Sequence, residues 1–380
     1  MTDRLYYEDS HLAAFPAVVT ACEQEKDYWK VALDQTTFFP EGGGQAGDTG
    51  YLGEIEVFDT HEKNGEIWHY TRQPLEVGAE VKGVLDWKKR FSRMQQHSGE
   101  HIVSGLIHAR FGYDNVGFHL GEEEVTMDFN GPITREELRE IETEANQVVF
   151  GNVPIQISYP SREELEILDY RSKIEIEGQV RIVTIPDVDV CACCAPHVNN
   201  TGEIGLIKLT NVQSHRGGVR VSLLAGDRAL CDYREKENSV KAISVLLSAK
   251  EAVVADAVER LKQENFRLTG QLMALNKAAS VAEGTANPVF FEENLDADTS
   301  REFVNLLTAR CGGIACVFTG NDETGYRYIF GSKLKDTRPL CKALNEQFGG
   351  KGGGKPEMVQ GSLSGTQEEL MGAVETFLRS

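Results

Sequence analysis

Residues 86–112, DWKKRFSRMQQHSGEHIVSGLIHARFG, mark the point at which this chain turns from β to α, and their reading decides the fold. Asp86 precedes a helical run, and Gly112 stands where a C-terminal stop is wanted. Within the run Met94, His97, His101 and Gly105 recur at three- and four-residue intervals, so they share one helix face. Upstream, residues 1–86 carry strand-like pieces such as VVTACEQEKDYWKVALD. EIEVFDTHEKNGEIWHYT pairs two such runs around Asn64-Gly65, a type I′ hairpin signal. A β-barrel-like domain is expected there, and residues 87–232 read as a mixed α/β domain.

Beyond it, residues 233–280 read as a helical arm. Val240, Leu247, Val254, Leu261, Leu268 and Leu275 recur every seven residues, with Val258 and Leu272 between them and polar Asn265 at another core position. Ser244 and Glu251 weaken the first half. The pattern fits a coiled coil, and a homodimer through this arm or the C-terminal domain, as well as one amphipathic helix packed on its own domain. Residues 281–380 read as a small α/β domain, with strands in GGIACVFTG and YRYIFGSKL and helices in REFVNLLTAR and RPLCKALNEQFG. The fold class expected for the whole is α+β.

At 380 residues the chain exceeds one ordinary core, since domains average about 150 residues. A hydrophobic fraction of 41% and a mean hydropathy of -0.33 suit a soluble protein, and no apolar run approaches membrane-spanning length. The N-terminus, MTDRLYYEDSHLAAFP, lacks the basic-then-apolar order of a secretory signal, so a cytoplasmic location without membrane contact is expected. Eight cysteines do not make a disulfide framework in a chain this long, and clustered ones in a reducing compartment serve metals or catalysis. The net charge of -20 argues against nucleic-acid binding by the whole surface. A local patch is needed, and residues 331–356 supply one: Lys333, Lys335, Arg338, Lys342, Lys351 and Lys355 against Asp336 and Glu346, a local charge of +4. Lys351 and Lys355, in the glycine run GGKGGGKPEMVQG, are candidate phosphate contacts; a solvated glycine loop is the plainer alternative.

Three features carry chemistry. His97 and His101, four apart on a helix, aim two imidazoles at one point. Cys193 and His197, in CACCAPHVNNTG (191–202), are again four apart, and one Cys with three His completes a four-coordinate zinc set. For the cysteines alone the alternative is a packed turn. The helix also satisfies H-x-x-E-H, the inverted zinc-protease pattern with Glu100 as general base, which needs a downstream glutamate ligand and leaves the Cys193/His197 pair idle. The third feature is TTFFPEGGGQ (36–45), followed by Asp48 and Gly50. Its triple glycine lets backbone N–H groups approach a ligand closely, but it fits neither the dinucleotide nor the P-loop pattern, and taken alone it reads better as a tight turn between strands.

Taken in order, TxFxPExGGQxxDxG (Thr36 to Gly50), HxxxH (His97 to His101) and CxxxHVxxTGxIG (Cys193 to Gly205) resemble the editing domain of alanyl-tRNA synthetases and their freestanding relatives, the AlaX alanyl-tRNA editing proteins. GGKGGGKPEMVQG resembles the small domain that ends those synthetases, so the likeness covers nearly the whole chain and points to the long AlaX type. It implies a zinc editing domain at 87–232, a C-terminal tRNA-binding-like domain at 281–380, and no aminoacylation domain. There is no Asp-His-His motif to imply a phosphoesterase. The implied activity is deacylation of alanine tRNA mischarged with serine or glycine. The implied cofactor is one zinc per chain on His97, His101, Cys193 and His197, with Thr36, Gln45 and His101 catalytic, Thr36 sensing the serine side chain, and Gly43, Gly44 and Gln45 lining the acceptor end. The synthetase form of the metal motif is Cys-Gly-Gly-Thr-His; here it is Cys193-Cys194-Ala195-Pro196-His197, with the spacing kept and Cys194 added as a neighbouring thiol. The alternatives from the residues are a zinc peptidase and a non-catalytic zinc-containing tRNA-binding module.

Overall fold

The computed structural model describes residues 2–122, 124–172, 178–293 and 295–379. The chain divides into two compact units, Met1–Asn238 and Ser239–Ser380. It is a mixed α+β protein, and no helix among the described residues is long and apolar enough to cross a membrane.

The first unit opens with a closed barrel. Its strands are β1 (Ala14–Glu25), β2 (Tyr28–Leu33), β3 (Gly50–Leu52), β4 (Ile55–Lys63), β5 (Glu66–Thr71) and β6 (Glu80–Leu85), in the order β1-β2-β5-β4-β3-β6. Alternation on β1 sends Phe15, Ala17 and Val19 inward to meet Val31, Leu33, Phe38, Leu52 and Val57. The β4–β5 hairpin turns at Asn64 (φ 54) and Gly65 (φ 78), both left-handed as a type I′ turn requires.

Helix α1 (Trp87–Phe111) follows directly. Asp86 caps it by accepting from the Lys89 N–H, and Gly112, at φ 70, ends it. Behind α1 lies an antiparallel sheet of β7 (Asn115–Leu120), β8 (Val125–Phe129), β12 (Ile207–His215) and β13 (Gly218–Ala225), ordered β12-β13-β8-β7, with α2 (Arg135–Gly151) against its apolar face. A three-stranded sheet, β9 (Gln156–Ser158), β10 (Ile182–Ile185) and β11 (Asp189–Ala192), brings the cysteine segment alongside α1. Gly105 makes that approach possible: a Cβ there would lie 2.3 Å from the Val188 carbonyl oxygen. A short helix, α3 (Arg162–Ile167), lies between β9 and β10.

The continuous arm expected over 233–280 is instead two helices, α4 (Gly226–Leu247) and α5 (Val254–Ser280). The break falls where the heptads are weakest: Ser248 turns left-handed (φ 48), the Ser244 hydroxyl donates to the Ala249 carbonyl, and Glu251 enters a short 3-10 turn. Within the second unit α5 packs through its small residues, Ala274 and Ala278, onto α6 (Ala297–Thr308). Leu261, Leu268, Leu272 and Leu275 of the heptad pattern remain exposed.

The second unit is a five-stranded sheet of β14 (Val289–Glu292), β15 (Ala315–Asn321), β16 (Gly325–Gly331), β17 (Lys351–Lys355) and β18 (Met358–Leu363), ordered β14-β15-β16-β18-β17, with α7 (Arg338–Phe348) and α8 (Gln367–Arg379) packed on it. The glycine run expected as a loop is the edge strand β17. Gly352 and Gly361 allow it, since a Cβ on either would lie within 2.5 Å of the Tyr328 hydroxyl. Lys351 and Lys355 are exposed on this edge, and among the described residues neither is in an ion pair.

Candidate metal centre

The inward face of α1 is polar. Between Arg90 and Ser104 it buries Arg90, Arg93, Gln95, Gln96, His97, Ser98, Glu100, His101 and Ser104, so its apolar periodicity is weak although it is the most enclosed helix of the unit. Each of these groups needs a partner. Arg90 supplies the latch to the glycine-loop motif: its Nε donates to Asp48 Oδ2 at 2.8 Å and its terminal nitrogens to the Ser10 and Thr37 carbonyls, while Asp48 Oδ2 also accepts from the Phe39 N–H. Asp48 therefore fastens the loop to the helix.

With the loop fixed, Gly42 and Gln45 exchange both backbone hydrogen bonds around Gly43 (φ 59) and Gly44 (φ 80), a two-residue left-handed turn. Gly44 rests against Phe118 so closely that a Cβ would lie 2.8 Å from its ring, and Phe118 stands beside the His97 ring at 4.8 Å between centroids. The turn delivers Gln45 to α1, where its Oε1 lies 3.2 Å from His97 Nδ1.

His97, His101, Cys193 and His197 converge, their donor atoms all within 4.8 Å of one another. Cys193 Sγ is 3.6 Å from His97 Nε2 and 3.4 Å from His197 Nε2. In each ring Nδ1 is held from behind: His97 by Gln45, His101 by Asp189 Oδ2 at 2.8 Å, and His197 by Ser98 Oγ at 3.1 Å. Every imidazole thus has its second nitrogen fixed by an outer partner, which leaves Nε2 for the centre. Asp189 is itself gripped by the Arg171 guanidinium through two bonds, 2.7 and 2.8 Å.

The electrostatics favour a cation at the centre. Burial opposes ionisation of the Cys193 thiol, but the neighbouring His97 and His197 and bonds from His101 and His197 outweigh it and hold the thiol well below its usual range. Burial pushes His197 down to about 3, keeping it neutral and able to donate a lone pair. At His101 burial is outweighed by Cys191 and by bonds to Asp189, Cys191 and Cys193, which raise it well above the ordinary value. Burial would raise Asp189, yet His101 and Arg171 keep it low. In a tetrahedral zinc site, N···S edges follow from the bond lengths as about 3.5 Å. The observed 3.4 and 3.6 Å fit that geometry, and one thiol with three imidazoles is a donor set zinc accepts, His101 giving up its proton if an ion enters.

Thus the four ligand candidates and Gln45 come together, with Gly43 and Gly44 in the turn that presents Gln45. Thr36 is engaged elsewhere: its hydroxyl lies 2.8 Å from His69 Nε2 inside the barrel and accepts from the Phe38 N–H. The third and fourth metal positions needed by the H-x-x-E-H reading are held by Cys193 and His197, and Glu100 Oε1 accepts from Ser104 and Asn115. Cys194 is exposed and outside the cluster, whereas Cys191 forms a second buried group with His101 and Asp189. Sequence reasoning missed Ser98, Asp189 and Arg171. Only Ser98 left a signal, by sitting between the two histidines.

The chain matches three family models: tRNA synthetases class II (A) over residues 3–89, Threonyl and Alanyl tRNA synthetase second additional domain over 180–221, and DHHA1 domain over 279–380. Among curated proteins it is 28% identical to the alanyl-tRNA editing protein AlaX-L of Pyrococcus horikoshii, across 100% of this chain and 99% of that one. It is 27% identical to the alanyl-tRNA editing protein Aarsd1 of Rattus norvegicus, across 95% and 94%. It is 32% identical to the alanine–tRNA ligase of Methanoregula boonei, covering 95% of this chain and 41% of that enzyme.

Proposed function

We propose, from homology to alanyl-tRNA editing proteins that runs the length of the chain, that this protein is a hydrolase that cleaves the ester joining a wrong amino acid to the tRNA for alanine. Serine is the main substrate and glycine the second. A pocket built for alanine rejects poorly both an analogue with one extra hydroxyl and one lacking a methyl, so a separate hydrolytic site is needed. The observation that carries this reading is the convergence of three Nδ1-anchored imidazoles and a low-lying thiol on the motif positions of that family.

In this proposal His97, His101, Cys193 and His197 hold one zinc per chain. When bound, zinc supplies orientation of the aminoacyl group or Lewis-acid polarisation of its carbonyl. Gln45 fixes His97 through Oε1, and its Nε2, buried without a hydrogen-bond partner among the described residues, is the donor offered to the acyl end. The left-handed turn at Gly43 and Gly44 lets the terminal ribose approach without meeting a side chain. His101 is oriented by Asp189, and Arg171 keeps that carboxylate charged. Thr36, whose hydroxyl is engaged by His69 and Phe38, shapes the amino-acid pocket from the barrel side, and Lys351 and Lys355 contact tRNA phosphate. Self-association through the exposed leucines of α5 completes the proposal, and sedimentation of Leu268→Lys against wild type tests it, a wild-type monomer removing it.

The deciding experiment is deacylation of alanine tRNA charged separately with serine, glycine and alanine. Release of serine, slower release of glycine and sparing of alanine is the expected result. No release of any of the three, with tRNA still bound, leaves a non-catalytic tRNA-binding module.

A further inference from the structure

Beside the metal centre, on the first two turns of α1, lies a groove of about 910 Å³ that none of the motifs accounts for. It adjoins the centre through shared chain: Ala46 in its wall follows Gln45, and Arg93 stands one helical turn before His97. On its aromatic side Trp87 and Phe91, both half-buried, lie with ring centroids 5.5 Å apart and planes 33° apart. On its cationic side are exposed Lys88, Arg93 and half-buried Arg228.

The charge on this side is under-compensated at Arg228. Arg93, buried, donates to the Gly47 carbonyl at 2.8 Å and lies 3.5 Å from Asp48 Oδ1, while Arg90 holds Oδ2. Arg228 donates from Nε to Ser92 Oγ at 3.2 Å and from one terminal nitrogen to the Gly121 carbonyl at 2.8 Å. Among the described residues no carboxylate lies within ion-pair distance of it, and its other terminal nitrogen has no hydrogen-bond partner. Burial and the neighbouring Arg93 work against its charge, and the attraction of Glu122 offsets them only in part. The carboxylates at the groove are shallower: Asp86 caps α1, and Glu122 and Asp227 are exposed. In a chain of net charge -20, a half-buried guanidinium with spare donors beside two aromatic faces suits a ligand that carries anions and flat rings together.

We infer that this groove binds the unpaired nucleotides preceding the aminoacylated adenosine, with Arg93, Arg228 and Lys88 on phosphates and Trp87 and Phe91 against bases. The inference rests on the proposed deacylase reading and assigns that substrate its entry track. Along α1 the ten residues from Trp87 to His97 span about 15 Å, so bases against the first turns leave the terminal ribose to reach Gln45.

The test compares two substrates, serine-charged alanine tRNA and the serine ester of adenosine alone. Arg228→Gln and Trp87→Ala are expected to raise KM for the tRNA about tenfold at unchanged kcat, and to leave the adenosine ester unaffected. The exposed substitution Lys88→Glu, which threatens no buried contact, is expected to do the same more weakly. For Arg228→Gln and Lys88→Glu the salt dependence of KM should flatten by about 0.7 in log–log slope per lost phosphate contact. Equal losses on both substrates, or none on the tRNA, overturn the groove. If the wild type cleaves neither ester, the deacylase reading falls instead. Fluorescence anisotropy with a labelled single-stranded RNA ending in cytidine-cytidine-adenosine then decides the groove alone: binding lost in Arg228→Gln and Lys88→Glu supports it, and unchanged binding or none in wild type rejects it.

Discussion

Between Arg90 and Ser104, helix α1 buries two arginines, two glutamines, two histidines, a glutamate and two serines. The core of the second unit, beneath α7 and α8, is assembled from Ile314, Phe318, Phe330, Leu340, Leu344, Val359, Leu370 and Val374, with Lys351 and Lys355 out on the exposed β17 edge. The two regions are held by different physics. An apolar core is satisfied by volume and accepts many arrangements of similar shape. A polar core is stable only when each donor meets its acceptor, so it specifies one arrangement, and here that arrangement aims three Nε2 atoms at one point. A fixed polar interior suits precise positioning of donor atoms, and an apolar core leaves the outer strand free to carry charge on its rim.

That contrast is exposed to measurement, from large effects to small. His101→Ala and Cys193→Ser should each lose bound zinc and at least about a thousandfold in serine release, whereas Cys191→Ser keeps most of both; metal analysis and single-turnover rates report this. If Cys191→Ser loses the metal and Cys193→Ser does not, the assignment of the ligands is wrong. Asp48→Ala leaves Arg90 buried without its carboxylate and should destabilise the first unit by about 3–5 kcal/mol in denaturant unfolding. No polar-to-apolar exchange on the β17 edge should approach that cost.

The barrel gives a pH test of the same idea. His69 is buried and held down to about 4 by burial, against a bond to the Val31 carbonyl that works the other way. The unfolded chain binds a proton near pH 6.5 and the folded one only near 4, so this contribution is complete above 6.5 and is lost as pH falls through that window. The loss should reach about 3 kcal/mol at pH 4. His69→Gln should flatten the acid limb of the stability curve; an unchanged limb would mean that other groups dominate it. Asp189→Asn, which keeps the shape but removes the charge behind His101, should weaken zinc binding about 10- to 100-fold in chelator competition. Smallest is Lys351→Ala with Lys355→Ala, expected to raise KM for charged tRNA a few-fold with kcat and zinc untouched.

The boundaries of α1, the Asn64-Gly65 hairpin and the convergence of His97, His101, Cys193 and His197 were legible because each depends on residues close in sequence or on fixed spacing. A barrel-like domain was expected, but not which strands close it, since β1 pairs with β6 across some sixty residues and nothing local encodes that partner. The anchors Asp189 and Arg171 were hidden for the same reason: a carboxylate and a guanidinium eighteen residues apart look like any surface pair until folding brings them behind His101. Asp48 read as part of a ligand loop because its motif neighbours are glycines, and only burial against Arg90 shows it to be a latch. The break between α4 and α5 was prefigured by Ser244 and Glu251, and it turned the leucine stripe from a core into an exposed face.

The centre's ligands lie in two places on the chain, with His97 and Cys193 96 positions apart, and synthesis runs in one direction. At about 5–20 residues per second, roughly 5–20 s separate the emergence of the histidine pair from that of its thiol. During that interval the barrel, the Gln45 anchor and the Ser98 anchor are already on the growing chain, while Asp189 and Cys193 are still to come. The nascent protein therefore carries two of the four converging side chains, both imidazoles, before Cys193 and His197 arrive to join them. The cluster is in this sense completed late, by a segment translated after the barrel and α1 and before β12 and β13.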